Sequence, residues 1–308
     1  MAIMCVYSET LEISKQLLGL AHELKENNNT IQAITIEEEQ AEELIAFGAD
    51  KVIVLKGENE WPESYAGGIA EAVKNEGADL FLIGDTIRGR DIAAQVAARL
   101  QTAMVSRAIS VQRVEGAFET ERMMYGGSVS KRERLKKLSL ITIPVGKYEP
   151  VSKDKTRNGE VVSIEVTTDS RVSILEKNPL VKEGRDLTSA ARIVCVGLGL
   201  DKREDLKLAE DLAAVLGADI ACTRGIAEEK KWLPIESYIG LSGIQIKPDL
   251  YLSLGVSGQV QHVVGIRDSK IIAAIDNNEN APIFQVADYG IVGDLYEIVP
   301  LLIETLKK

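Results

Sequence analysis

Short apolar runs alternate with longer periodic stretches along the first third of the chain. Ile3 to Tyr7, Ile31 to Ile36, Lys51 to Leu55 and Leu80 to Ile83 read as buried strands. Between them, Leu11, Leu17, Leu18, Ala21 and Leu24 recur at helical spacing, with His22 beside the stripe as a solvated helix histidine. Asn27-Asn28-Asn29 predicts a turn, Glu37 to Phe47 a helix ending at Gly48, and Tyr65 to Asn75 a helix stopped by Gly77. The loop Gly84 to Arg90 opens a further helix, Asp91 to Leu100. Strand–helix alternation of this kind means βαβ units and a mainly parallel sheet. Arg88 and Arg90 lie where such sheets hold ligands, but no Gly-Lys-Ser/Thr accompanies them, so solvated charges or a protein contact are the favoured readings over a phosphate site.

From Ser106 to Val145 the pattern turns to extended strands around a Glu115-Gly116 turn. The basic run Lys131 to Lys137 reads as a solvated face. Leu138 to Val145, Val161 to Val166 and the shorter Val172 to Leu175 are further strands, set among charged turn-rich segments that include Lys182 to Asp186. A domain boundary is expected at 185 to 190, dividing the chain into 1–186 and 187–308. Ile193-Val-Cys-Val then restarts the α/β alternation, with a helix over Glu204 to Leu216 capped by Gly217 and a strand over Asp219 to Cys222. The fold class expected is α/β, two doubly wound domains with mainly parallel sheets, the second flavodoxin- or Rossmann-like.

The densest chemistry lies in Lys247 to Asp294. Leu250 to Leu254 predicts a strand, broken by Gly255, Ser257 and Gly258, with Ser257 placed to cap a helix from Gly258. A helix start directly after a strand offers free N–H groups to an anionic or electron-rich ligand. His262 falls one turn into that helix; without further context it reads as a surface histidine. Gly255-Val-Ser-Gly lacks the fifth-position glycine of a GxSxG nucleophile elbow, which sets a serine hydrolase aside. Gly197-Leu-Gly-Leu supplies two glycines of a dinucleotide fingerprint but has Lys202 at the third position.

Composition narrows the classes. The 308 residues carry a net charge of -11, and 45% are hydrophobic. The pI is about 5.0 and the mean hydropathy -0.01. An acidic chain argues against nucleic acid or anionic lipid as the main partner. Cys5, Cys195 and Cys222 are widely separated and read as buried free thiols, and no Cys/His cluster suggests a metal. No leader pattern or long apolar stretch is seen, so a cytoplasmic location is expected.

The strings SGQVQHVVGIRDSK, AID and APIFQVADYGIVGDLYE resemble the C-terminal domain of electron-transfer flavoprotein alpha subunits. Cys222-Thr-Arg-Gly and Tyr238-Ile-Gly-Leu-Ser-Gly are similar to two further elements of that family, as are TIRGRDIAAQVAARL, MMYGGSVS and TRNGEV in the first half. The Lys231-Trp-Leu and Tyr238-Ile-Gly-Leu-Ser pattern looks closest to the Fix-type branch of bacteria and archaea.

The resemblance implies an N-terminal domain of nucleotide-hydrolase-like fold that contacts a beta subunit, and a C-terminal domain that binds FAD. It implies a heterodimer that carries electrons from dehydrogenases, of the acyl-CoA type of fatty acid β-oxidation or similar, toward a quinone oxidoreductase. A bifurcating or Fix-type carrier using NADH and ferredoxin is the alternative, and a non-redox NAD- or nucleotide-binding protein a more distant one. A peripheral membrane partner is compatible with any quinone-linked route. Matched to the family's cofactor contacts are Thr223, Arg224, Ile239, Gly240, Leu241, Ser242, Ser257, Gly258, Gln259, Val260, Gln261, His262, Asp276, Asp288 and Tyr289. Arg224 would lie on the isoalloxazine ring and Ser242 at flavin N5. His262 would face flavin O2, donating a hydrogen bond or, if protonated, a charge. Leu198, Leu241 and Asp276 depart from the family's usual arginine, glutamine and asparagine.

Overall fold

The computed structural model describes residues 2–26, 29–135, 138–178 and 187–307. The chain divides into two compact units, Met1–Asn178 and Pro179–Lys308. Part of the expected boundary (179–186), the charged Lys182 to Asp186 segment, Asn27, Asn28, Lys136 and Lys137 lie outside the described residues.

The first unit runs β1 (Ile3–Tyr7), α1 (Leu11–Glu23), β2 (Thr30–Thr35), α2 (Ala41–Ala46), β3 (Lys51–Lys56), α3 (Ala66–Asn75), β4 (Leu80–Gly84) and α4 (Ile87–Leu100). β5 (Met104–Val105), β6 (Ala108–Val114), β7 (Ala117–Met124), β8 (Val129–Arg134), β9 (Ser139–Ile143) and β10 (Glu160–Glu165) complete it. The main sheet is parallel, in the order β10-β3-β2-β1-β4-β9-β5. The pleat sends Met4 and Val6 into a core under α1 and α2, while Cys5 and Tyr7 join the core under α3 and α4. β6, β7 and β8 form a separate antiparallel sheet, turned at Glu115 and Gly116, both left-handed.

Several local expectations need correction. Val172 to Leu175 forms no strand, and Leu175 is 95% exposed. His22 is half-buried and bonds the Gly48 carbonyl at 2.9 Å, because the helix end at Gly48 folds back against it. Arg88 is held by Glu63 at 3.0 Å and stacks on Trp61, which commits it to the protein. The basic residues of β8 stay exposed, in keeping with a solvated face, and pair with Glu115, Glu121 and Glu133 on the same small sheet. α4 begins at Ile87, four residues ahead of its expected start, because Thr86 caps it by accepting the Gly89 N–H at 2.8 Å. Thr86→Ala is expected to cost roughly 1 kcal/mol in urea unfolding, the usual worth of such a cap.

The second unit holds β11 (Arg192–Val196), α5 (Leu206–Leu216), β12 (Asp219–Cys222), β13 (Leu250–Leu254), α6 (Val260–Ile266), β14 (Ile271–Asp276), β15 (Tyr289–Val292) and α7 (Leu295–Leu306). Its sheet is wholly parallel, ordered β12-β11-β13-β14-β15. Val194 and Val196 pack under α5 and α7, and Ile193 and Cys195 face the opposite core with Tyr251 and Ile266. The chain therefore winds both ways from β11, and the crevice between the ends of β11 and β13 is the topological switch point. No helix among the described residues is long and apolar enough to cross a membrane.

Candidate functional site

Four loops meet at the carboxyl edge of the second sheet, and glycine permits their approach. A Cβ on Gly197 would lie 2.1 Å from the Gly255 carbonyl oxygen, and the Gly199 N–H donates to that same oxygen at 3.0 Å. Gly258 is left-handed (φ 77°), and a Cβ there would lie 2.3 Å from the Ile283 nitrogen. This conformation delays the helix. α6 starts at Val260 after Gln259, two residues later than expected, and Ser257 makes no capping bond. Instead the Ser257 carbonyl accepts the Ile283 N–H at 3.0 Å, tying the loop after β13 to the loop after β14. Ser257, Gln259, Val260 and Gln261 are left exposed along this rim.

Thr223 and Arg224 follow directly from β12. The Thr223 hydroxyl is buried and has no hydrogen-bond partner. Arg224 stands mostly in solvent, held by Glu228 across one turn at 2.6 Å. Leu198 lies over the neighbouring backbone, within 2.9 Å of a Cβ built on Gly225. The segment Ile239 to Ser242 continues from a bridge between Tyr238 and Cys222, with the Ile239 N–H on the Cys222 carbonyl at 2.9 Å. Gly240 adopts φ 155°, the Leu241 N–H reaches the Gln261 carbonyl at 2.7 Å, and the Ser242 hydroxyl bonds Tyr238. Leu241 itself is exposed.

His262 is buried, which overturns its reading as a surface residue. Its Nε2 meets the Tyr251 hydroxyl at 2.7 Å and its Nδ1 the Ile239 carbonyl at 3.1 Å. Burial lowers its pKa to about 4, so the ring is neutral at pH 7 and brings no formal charge to this edge. Arg224 therefore supplies the permanent cation among the expected contacts. Burial also pushes the Cys195 thiol up and the Cys222 thiol up to about 12, as it does Cys5 in the first unit, so all three remain protonated.

Asp276 ends β14 at the same edge, nearly buried, with Oδ1 accepting the Asn278 N–H at 2.9 Å. Asp288 and Tyr289 do not join this group. The parallel register sets Tyr289 beside Ala273 and Val292 beside Asp276, so the chain enters β15 at the amino edge of the sheet. There the Asp288 carboxylate accepts the Ile272 N–H at 2.8 Å, a structural bond at the far side from Ser257. The residue that reaches the carboxyl edge from this segment is Asp294, which caps α7 through the Tyr296 N–H at 2.8 Å. Its signal was the Gly293-Asp294 pair before the last amphipathic stretch, a helix-start pattern.

Residues 8–169 match the family described as the electron transfer flavoprotein domain, and residues 186–267 that described as the electron transfer flavoprotein FAD-binding domain. YdiR of Escherichia coli strain K12, whose name includes electron transfer flavoprotein subunit, is 37% identical over 98% of this chain and 97% of its own. Protein FixB of Escherichia coli O139:H28 and of Shigella flexneri are each 36% identical, over 98% of this chain and 97% of theirs. With two matching domains and near full-length relatives, the chain belongs to the electron-transfer flavoprotein alpha subunit family, in its Fix-type branch, whose cofactor is FAD.

Proposed function

We propose that this chain is the alpha subunit of a heterodimeric carrier that holds FAD along the carboxyl edge of its second sheet. Electrons would pass between a dehydrogenase and a quinone- or ferredoxin-linked acceptor, in the cytoplasm, with a beta subunit completing the complex. In this reading residues 1–186 contact the beta subunit and 187–308 hold the cofactor. The observation that carries the site is the Thr223 hydroxyl, buried without a partner where the loops converge. An orphaned buried hydroxyl costs about 1–3 kcal/mol, and a polar group of a ligand seated there removes that cost. The glycine approaches beside it support the same reading, because they present main-chain groups in place of side chains.

When bound, FAD supplies a centre that takes up and returns electrons; the chain's residues seat that centre and set its charge environment. Arg224 contributes a planar, permanent cation whose present partner, Glu228, is only one turn away and easily exchanged. Tyr238 orients the Ser242 hydroxyl. Asp276 works against binding of an anionic group, since its carboxylate is nearly buried at the same edge. Thr223, Arg224, Ile239 to Ser242, Ser257 to Gln261 and Asp276 remain the proposed contacts, with Asp294 added.

Co-expression with the beta subunit tests the proposal. A yellow complex with stoichiometric, reversibly reducible FAD is expected, and a colourless complex that takes up none would end it. In that complex Arg224→Ala is expected to lower the two-electron flavin midpoint potential by on the order of 20 mV, the equivalent of about 1 kcal/mol of lost charge stabilisation. An unchanged potential would remove Arg224 from the ring.

A further inference from the structure

Tyr251 is the second residue of β13, its side chain wholly buried, and a buried phenol needs a hydrogen-bond partner. Its partner is His262 Nε2 at 2.7 Å. The other ring nitrogen faces the Ile239 carbonyl at 3.1 Å. A carbonyl only accepts, so Nδ1 carries the proton, Nε2 offers a lone pair, and the Tyr251 hydroxyl must donate to it. Behind the phenol, the Cys195 thiol on β11 lies in the same buried cluster. A single polar line thus crosses the core from the sheet through α6 to the start of the Ile239 to Ser242 segment.

That segment and its continuation to Ile246 are held to α6 at three points. Two are backbone bonds, Leu241 N–H to the Gln261 carbonyl at 2.7 Å and Ile246 N–H to the Gly265 carbonyl at 2.9 Å. The third is His262, the one bond of the three whose geometry depends on a side chain and on what orients it. We propose that Tyr251 is a positioning residue: its hydroxyl fixes the tautomer and orientation of His262, whose Nδ1–H in turn sets the Ile239 carbonyl and the segment that follows. The description of that segment as flavin-facing rests on the FAD reading above; the hydrogen-bond line does not. The titratable groups facing the imidazole are Tyr251 on β13 and, through it, Cys195 on β11. Burial accounts for the neutral ring, with no carboxylate or cation acting on it among the described residues.

The full chain, labelled with ¹⁵N in a His22→Gln background, isolates the His262 signals. Two-bond ¹H–¹⁵N correlations are expected to show a neutral Nδ1–H ring from pH 7.5 to about 5. In Tyr251→Phe, His262 is expected to titrate about one pH unit higher, because the donor to Nε2 is gone. The Leu241 and Ile246 amides should exchange about tenfold faster. A folded variant with unchanged titration and exchange overturns the proposal. Should Tyr251→Phe not fold, His262→Gln retains a donor for Ile239 and an acceptor for Tyr251, whereas His262→Leu retains neither. Wild-type exchange in the first and about tenfold faster exchange in the second support the proposal, and equal exchange in the two overturns it. None of these readouts needs a cofactor, so a colourless complex would count against the FAD reading alone.

Discussion

Gly258→Ala is expected to destabilise the second unit by roughly 3 kcal/mol or more and to abolish cofactor retention in the complex. Two costs add. The left-handed φ of 77° carries a penalty of about 1–2 kcal/mol for any residue with a Cβ. The methyl would also sit 2.3 Å from the Ile283 nitrogen and 2.4 Å from its Cα, backbone atoms that cannot swing aside. Separating the strands of this contact would undo the Ser257–Ile283 bond that ties two rim loops together. Gly77 gives the control, being left-handed at φ 67° with nothing within 4 Å of a built Cβ. Gly77→Ala should therefore cost only the backbone penalty, about 1 kcal/mol. Urea unfolding of both variants, followed by Trp232 fluorescence for the second unit, measures the difference. Equal costs would show that the rim loops do not pack as described.

The second large effect is a loss of stability in the second unit on acidification. His262 has an ordinary pKa of 6.5 and a folded value of about 4, lowered by burial. Between these values the unfolded chain binds the proton and the folded chain does not, so stability rises with pH across that window. The contribution is fully present above pH 6.5 and is lost as pH falls through about 4. The shift corresponds to about 3 kcal/mol, taken from the window's width at 1.36 kcal/mol per unit. His262→Gln has nothing to titrate there. Its unfolding free energy should fall less steeply than the wild type's from pH 7.5 to 4.5, and parallel curves would refute the assignment.

Much of the architecture was legible because period and punctuation agree. Buried parallel strands such as Ile193 to Val196 are continuous apolar runs, and Gly48, Gly77 and Gly217 stop helices where a left-handed residue is needed. β15 was not legible. Tyr289 to Val292 lies exposed along its whole length at the sheet edge, so no burial pattern marked it as a strand. Without that strand the end of the site is displaced: Asp288, just before the strand, reads as a contact, and Asp294, which caps the helix after it, does not. Ser257 misled for a related reason. A hydroxyl before a glycine suits a cap, but Gly258 turns left-handed to pack on Ile283, and a helix cannot start through it. His262 shows the third limit, since both of its partners are distant in sequence and only the fold reveals that its nitrogens are already taken.

The three thiols have a use beyond packing. Each is fully sheltered and held protonated, one in the first unit and two in the second. A brief pulse of a small alkylating reagent can therefore mark Cys5 only when the first sheet opens, and Cys195 or Cys222 only when the second does. Mass spectrometry of the marked peptides would time the opening of each half of the chain separately, with no probe introduced and no residue changed.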